Sequence, residues 1–201
     1  MSKLVKTMKE AIALSGLRDG MTVSFHHHLR NGDFVLNMVL EAIAEAGLKN
    51  INVNASSLFD VHMPLLSHIE NGVVTGVAAD YIAGGLGRAF SEGILESPVE
   101  FRTHGGRPRD IALGRTPIDV AFLAAPAADP MGNCSGKFGK SACGSLGYAF
   151  ADALYAKKVV VITDNLMPYP LPEWSISEDN VDFVVEVDAI GDPRGIVSAI
   201  Y

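Results

Sequence analysis

Met21-Thr-Val-Ser-Phe-His-His-His-Leu-Arg-Asn-Gly-Asp33 runs directly into Phe34-Val-Leu-Asn-Met-Val-Leu-Glu-Ala-Ile43. The first five residues are apolar or β-branched, as a buried strand requires, and the second segment repeats apolar residues at helical spacing. A strand that passes through a short polar turn into a helix is the opening of a βα unit. Ligands in such folds bind in the crevice beyond the carboxyl ends of the strands. Three imidazoles at that place can donate hydrogen bonds, carry charge near neutral pH or bind metal. Alternation along an extended backbone puts His26 and His28 on one side and His27 on the other.

Outward from this unit the same alternation continues. Strands are predicted at Thr22–Phe25, Ile51–Ala55, Val73–Ala79, Val99–Thr103, Ile118–Ala124, Lys158–Thr163 and Val181–Val187. Helices are predicted at the basic, amphipathic Met1–Glu10, at Phe34–Ile43, Val61–Glu70 and Gly84–Gly93, and over Ser141–Ala156, the longest helical run. Near-continuous apolar strands are covered on both faces. The fold class is therefore α/β: a three-layer, open, mostly parallel sheet of about seven strands with helices on both faces. No internal repeat or linker divides the chain, so residues 1–201 read as a single domain. The Pro-rich stretch Asn165–Ser177 reads as a loop crossing the sheet edge.

Composition narrows the function classes. With 201 residues, 48% of them hydrophobic, the chain can bury one substantial core. A net charge of −7 supplies no global field for nucleic acid. Anions must be met by local cations and backbone amides. No window approaches the ~20 apolar residues that span a bilayer. Cys134 and Cys143 match no familiar zinc spacing and read as reduced thiols, so the expected setting is the cytoplasm, with no metal. Cys143, at the start of the predicted long helix, is a candidate low-pKa nucleophile, with packing the alternative role.

Polar residues and glycines concentrate just after the predicted strands, where a parallel sheet gathers loops on one edge. The first strand supplies His26, His28 and Arg30, and the second Ser56, Ser57 and His62. The third is followed by Gly84-Gly-Leu-Gly87. This loop lacks the dinucleotide pattern, but its backbone N–H groups at a helix start can attract an anion or a developing oxyanion. The fourth supplies His104, Gly105, Gly106 and Arg107, arginine being suited to forked recognition of carboxylate or phosphate. The fifth leads into Asn133, Lys137, Ser141 and Gly144.

Taken together, Leu17–Arg30, Ala55–Leu58 with His62, His68–Val74, Thr103–Arg107, Ile118–Leu123, Ser141–Ala149 and Val187–Pro193 resemble the citrate lyase α-subunit family, the citrate:acetyl-carrier-protein transferases. Asp129-Pro-Met-Gly-Asn133 is similar to the wider CoA-transferase superfamily, whose architecture, shared with ribose-5-phosphate isomerases, matches the sheet inferred above. The resemblance implies exchange of acetate for citrate on the thioester of an acyl carrier protein. The carrier's CoA-like phosphopantetheine arm is the prosthetic group acted on, and no cofactor is held by the chain itself. It also implies lyase subunits as partners. The family's α subunit has a second domain of the same fold that supplies an acylated glutamate, and no acid here matches it. The chain is then expected to be a fragment, a split subunit or a half-sized relative that self-associates.

On this reading citrate meets His26, His28, Arg30, His62 and His104, with Arg107 and the glycines Gly105 and Gly106 beside them. Oxyanion donors come from Ser56, Ser57 and the amides of Gly84, Gly85 and Gly87. The thioester arm runs along Asn133, Lys137, Ser141 and Gly144. Two rivals remain: a non-catalytic small-anion or sugar-phosphate sensor of the same fold, and a sugar-phosphate isomerase or deaminase, which needs a proton-transfer acid and base.

Overall fold

A computed structural model describes residues 2–26 and 28–196; Met1, His27 and the last five residues, 197–201, lie outside the described residues. The strands are β1 (Leu4–Val5), β2 (Thr22–Phe25), β3 (Ile51–Ala55), β4 (Val74–Ala79), β5 (Glu100–Phe101), β6 (Val120–Ala125), β7 (Ala127–Ala128), β8 (Cys134–Ser135), β9 (Lys158–Thr163) and β10 (Phe183–Glu186). The helices are α1 (Met8–Ser15), α2 (Val35–Glu45), α3 (Leu65–Glu70), α4 (Gly84–Ser91), α5 (Gly106–Ala112) and α6 (Ala149–Tyr155), with 3₁₀ turns at Arg30–Gly32, Asp60–His62 and Glu178–Asn180. Eight strands form one sheet in the order β1-β10-β9-β6-β2-β3-β4-β5, and every pairing in it is parallel.

The strand order reverses between β2 and β6. From β2 the chain progresses outward through β3, β4 and β5, then returns to β6 on the other side of β2 and moves through β9 and β10. The connections leaving β2 and β6 therefore diverge and leave a crevice above their carboxyl ends, the position where open α/β sheets bind ligands. The histidine run follows β2 directly.

Strand alternation sorts the core into two layers. Val23, Phe25, Val53, Val77, Val120, Phe122, Val160 and Ile162 pack with residues of α1, α2 and α3, including Ile12, Leu36, Leu40, Ile43 and Leu65. Ala121, Leu123, Val159, Val161 and Val184 face the other way, against Ile111, Leu146, Ala149 and Ala153. Opposite β2 and β3 this second layer is polar. Arg107 of α5 pairs with Asp152 of α6 at 2.7 Å and donates to Asn54 Oδ1 (2.7 Å) and Ser24 Oγ (2.7 Å), while Ser24 donates to Asp152. Arg107 and Asp152 are almost wholly buried.

The structure departs from the sequence reading in three places. An eighth strand, β1, precedes the first helix, which covers Met8–Ser15 rather than the extreme N-terminus. Thr7 fixes that start by accepting from the Glu10 amide at 3.1 Å, while the Glu10 carboxylate accepts from the Lys6 amide. Helix α5 forms over residues that the sequence pattern leaves as loop. The long helix expected from Ser141 begins only at Ala149. Gly144 and Gly147 sit at φ +85° and +56°, and the amides of Cys143 and Gly144 both turn back to the Gly136 carbonyl, so residues 136–148 form a compact loop.

Candidate functional site

The carboxyl edge is built strand by strand. Beyond β2, the His26 and His28 rings stack with centroids 5.3 Å apart and their Nδ1 atoms 3.1 Å apart. His28 Nε2 lies 2.6 Å from the Ala124 carbonyl of β6. A carbonyl only accepts, so His28 Nε2 carries the hydrogen. Burial lowers the His28 pKa, outweighing that carbonyl and the nearby Asp33 and Asp152 charges, and the ring is neutral at pH 7. Neutral His28 must then accept at Nδ1, and His26 Nδ1 donates to it. Both nitrogens of His28 are thus occupied, which leaves no N–H for a bound anion. The residue expected to grip substrate instead braces His26.

Beyond β3, Ser56 and Ser57 are buried. The Ser56 amide donates to the Phe25 carbonyl, and its carbonyl accepts from the Asp80 amide and from Ser57 Oγ (2.7 Å). These bonds tie the ends of β2, β3 and β4 into one rim. His104, after β5, closes the rim: its Nδ1 is 3.2 Å from Asp80 Oδ2, and its ring meets Tyr148 edge-on with centroids 5.1 Å apart. Gly147, next to Tyr148, faces the His26 ring: a Cβ added there would come 3.7 Å from His26 Cε1. Loop 144–148 therefore bridges His26 and His104 over the switch point. Burial pushes the Asp80 carboxyl up to about 6, against the downward pull of Arg107, His104 and Arg102.

Several expected site residues are structural. His62 is buried; Nδ1 accepts from the Phe59 amide at 3.0 Å, so Nε2 carries the hydrogen and donates to Asp33 (3.1 Å), whose carboxylate also accepts from the Val35 amide at the start of α2. Arg107 is held in the buried network described above, where its charge belongs to Asp152. The Gly85 amide donates to Asp60 Oδ1 at 2.9 Å and the Gly87 amide to the Ala83 carbonyl, so neither points at a ligand. A side chain on Gly84, at φ +61°, would collide with the Asp60 carboxylate. Gly106 donates to Thr103 and is buried, whereas Gly105 is exposed. Arg30 is exposed, at φ +54°, and has no ion-pair partner among the described residues.

In the proposed arm-binding set the side chains are engaged with acids of the protein itself. Asn133 is buried, donating to Asp129 (2.9 Å) and Glu178 (2.8 Å). Ser141 donates to Asp164 at 2.8 Å, and Lys137 pairs with Glu173. Lys137 and Gly144 are exposed, and Gly144 opens the bridging loop. Cys143 does not start a helix, and burial pushes its thiol up to about 11, the opposite of an activated nucleophile. Among the described residues no three His, Cys, Asp or Glu side chains are grouped as a metal site, and no helix is long and apolar enough to cross a membrane. A cleft of about 480 Å³ lies elsewhere, over the sheet face, lined by residues such as Asn52, Asn54, Arg102 and Thr116; none of the expected site residues borders it.

The sequence reading missed Asp80 and Tyr148. Asp80 is the first residue after a strand, a usable signal. Tyr148 reaches the rim only because two glycines unwind the preceding segment.

Comparison with known proteins places these features in a family. The model of the citrate lyase alpha subunit (CitF) matches residues 1–200. The citrate lyase alpha chain of Haemophilus influenzae is 51% identical over 194 residues, 96% of this chain and 39% of that protein; the Escherichia coli chain is 50% identical, covering 96% and 38%. The chain thus spans about two fifths of the curated relatives it matches. A crystal structure of the putative citrate lyase alfa subunit from Streptococcus mutans in complex with citrate superposes with a TM-score of 0.95 at 53% identity, over 97% of this chain and 38% of that one. Glutaconate coenzyme A-transferase from Acidaminococcus fermentans shares the fold, with a TM-score of 0.67 at 17% identity, over 97% of this chain and 77% of that one.

Proposed function

Because this chain belongs to the citrate lyase alpha-subunit family, we propose that it forms the citrate-binding half of a transferase that exchanges acetate for citrate on an acyl-carrier-protein thioester. The observation that carries this reading is that two adjacent loop residues face histidines from two different strands, Gly147 the His26 ring and Tyr148 the His104 ring, at the carboxyl edge of the sheet. The relative crystallised with citrate, similar over nearly all of this chain, supports the choice of ligand.

Citrate brings three carboxylates that must leave water. The exposed Arg30 is the available cation, and the His104 ring, more than half exposed, is the available imidazole. Ser56 and Ser57 close the floor. In the chemistry, a citrate carboxylate attacks the acetyl thioester carbon. The tetrahedral intermediate expels the carrier thiolate and leaves a citryl–acetyl anhydride. The thiolate then attacks the citryl carbonyl, and acetate departs. Hydrogen-bond donors at the intermediate's oxyanion lower the barrier, each typically by about 2.7–4 kcal/mol. The phosphopantetheine arm enters past Gly144. An enzyme glutamate, the carrier protein and the lyase subunits belong to this proposal as components beyond the chain. A small-anion sensor shares the site but needs no exchange.

The deciding experiment follows labelled citrate into acetyl-carrier protein, with this chain alone and with the polypeptide that completes the length of its relatives. Exchange in either case supports the transferase. Saturable citrate binding without exchange in both favours the sensor, and no binding at all overturns the site.

A further inference from the structure

Asp80 has no role in the reading above, yet it is the most unusual acid of the rim. Its side chain is only 4% exposed. Oδ2 accepts from the His104 ring at 3.2 Å, while Oδ1 is buried without a hydrogen-bond partner among the described residues. The Ser56 carbonyl fixes its backbone through the Asp80 amide. The charges that face it come from Arg107 of α5 and from Arg102 and His104 in the connection between β5 and α5. Neither arginine neutralises it by contact. Arg107 is bonded to Asp152, Ser24 and Asn54, and Arg102 to Glu100 (2.8 Å) and Asp110 (3.4 Å). The direct partner of Asp80 is an imidazole with 59% of its side chain exposed and the Tyr148 ring in edge contact with it.

We propose that Asp80 is a positioning residue that holds His104 through Nδ1–H and stabilises its imidazolium, so that Nε2–H is presented to a substrate carboxylate in the crevice. A carboxylate behind an imidazole fixes its tautomer and orientation and favours the charged ring. Tyr148 limits the ring's rotation from the other side. The pair carries no net charge when His104 is protonated, so the rim presents a directed donor without stacking cations beside Arg107.

This proposal rests on the rim being the citrate site, and two readouts separate the two ideas. The first needs no ligand: the protonation of the two His104 ring nitrogens is read from their NMR chemical shifts in the wild-type chain and in Asp80→Asn. Loss of the carboxylate that accepts from Nδ1–H is expected to change the tautomer balance of the ring. An unchanged balance overturns the pairing. The second is calorimetric citrate affinity at pH 7.5. Asp80→Asn and His104→Gln should each weaken binding roughly tenfold, as loss of a charge-assisted hydrogen bond does, and the double variant should be no weaker than either. Additive losses overturn the positioning role. Absence of citrate binding in the wild-type chain overturns the citrate site itself, and the carboxylate role of His104 with it, while the NMR readout of the ring nitrogens still reports on the pair.

Discussion

Burial raises the Asp80 carboxyl to about 6 from the 3.8 of an unhindered aspartate, so the folded chain holds that proton more tightly than the unfolded chain does. Protonation therefore stabilises the fold: the contribution is complete below pH 3.8 and is lost as pH rises through about 6. Asp80→Asn, which mimics the protonated form, should raise Tm at pH 8, with the advantage over wild type shrinking to nothing by pH 4; calorimetry across that range checks it. Arg107 obeys the opposite logic. Its buried pair with Asp152 leaves an uncompensated charge when one partner is removed, so Arg107→Ala should lower urea-unfolding stability by about 3–5 kcal/mol. The two thiols should be quiet, Cys143 pushed up to about 11 and Cys134 to about 12 by burial. Iodoacetamide at pH 7.5 should label Cys134 only after unfolding and Cys143 far more slowly than a free thiol.

At the level of elements, position after a strand was readable, but the occupation of each hydrogen-bonding group was not. The Gly84-Gly-Leu-Gly87 loop does open a helix, as its glycines suggest, yet Asp60, more than twenty residues earlier, has already taken the Gly85 amide. Gly84 is required because its backbone is left-handed and its missing side chain admits that carboxylate. Gly84→Ala should cost at least about 1 kcal/mol for the left-handed conformation alone, seen as a lowered denaturation midpoint. The same blindness explains His62 and Asn133. Each stands in a polar, loop-like stretch, and each is claimed by a distant acid, Asp33 or Glu178, that folding brings near. Helix α6 was misjudged for a different reason. The apolar spacing of Leu146, Ala149, Phe150 and Ala153 is helical, but Gly144 and Gly147 place the start later, and only the tertiary bonds to Gly136 settle where.

For the molecule as a whole, the layering was legible because apolar runs such as Ile118–Leu123 and Val159–Ile162 carry no polar alternation, which only a sheet covered on both faces tolerates. Strand order was not legible; nothing in β2 or β6 announces that they are neighbours, and the switch point emerges only from that pairing. On the proposed function a ligand seated there bridges both halves of the sheet, and citrate at 100 times its Kd should then stabilise the fold by about 2.7 kcal/mol, read as a concentration-dependent rise in Tm. The bond from His28 to the Ala124 carbonyl gives that pairing a further meaning. A main-chain oxygen on one strand dictates which nitrogen of an imidazole on its neighbour is protonated, and through it which way the next ring faces. Transplanting the histidine tripeptide onto another scaffold would therefore carry the letters without the proton order, unless the adjoining strand came along in the same alignment.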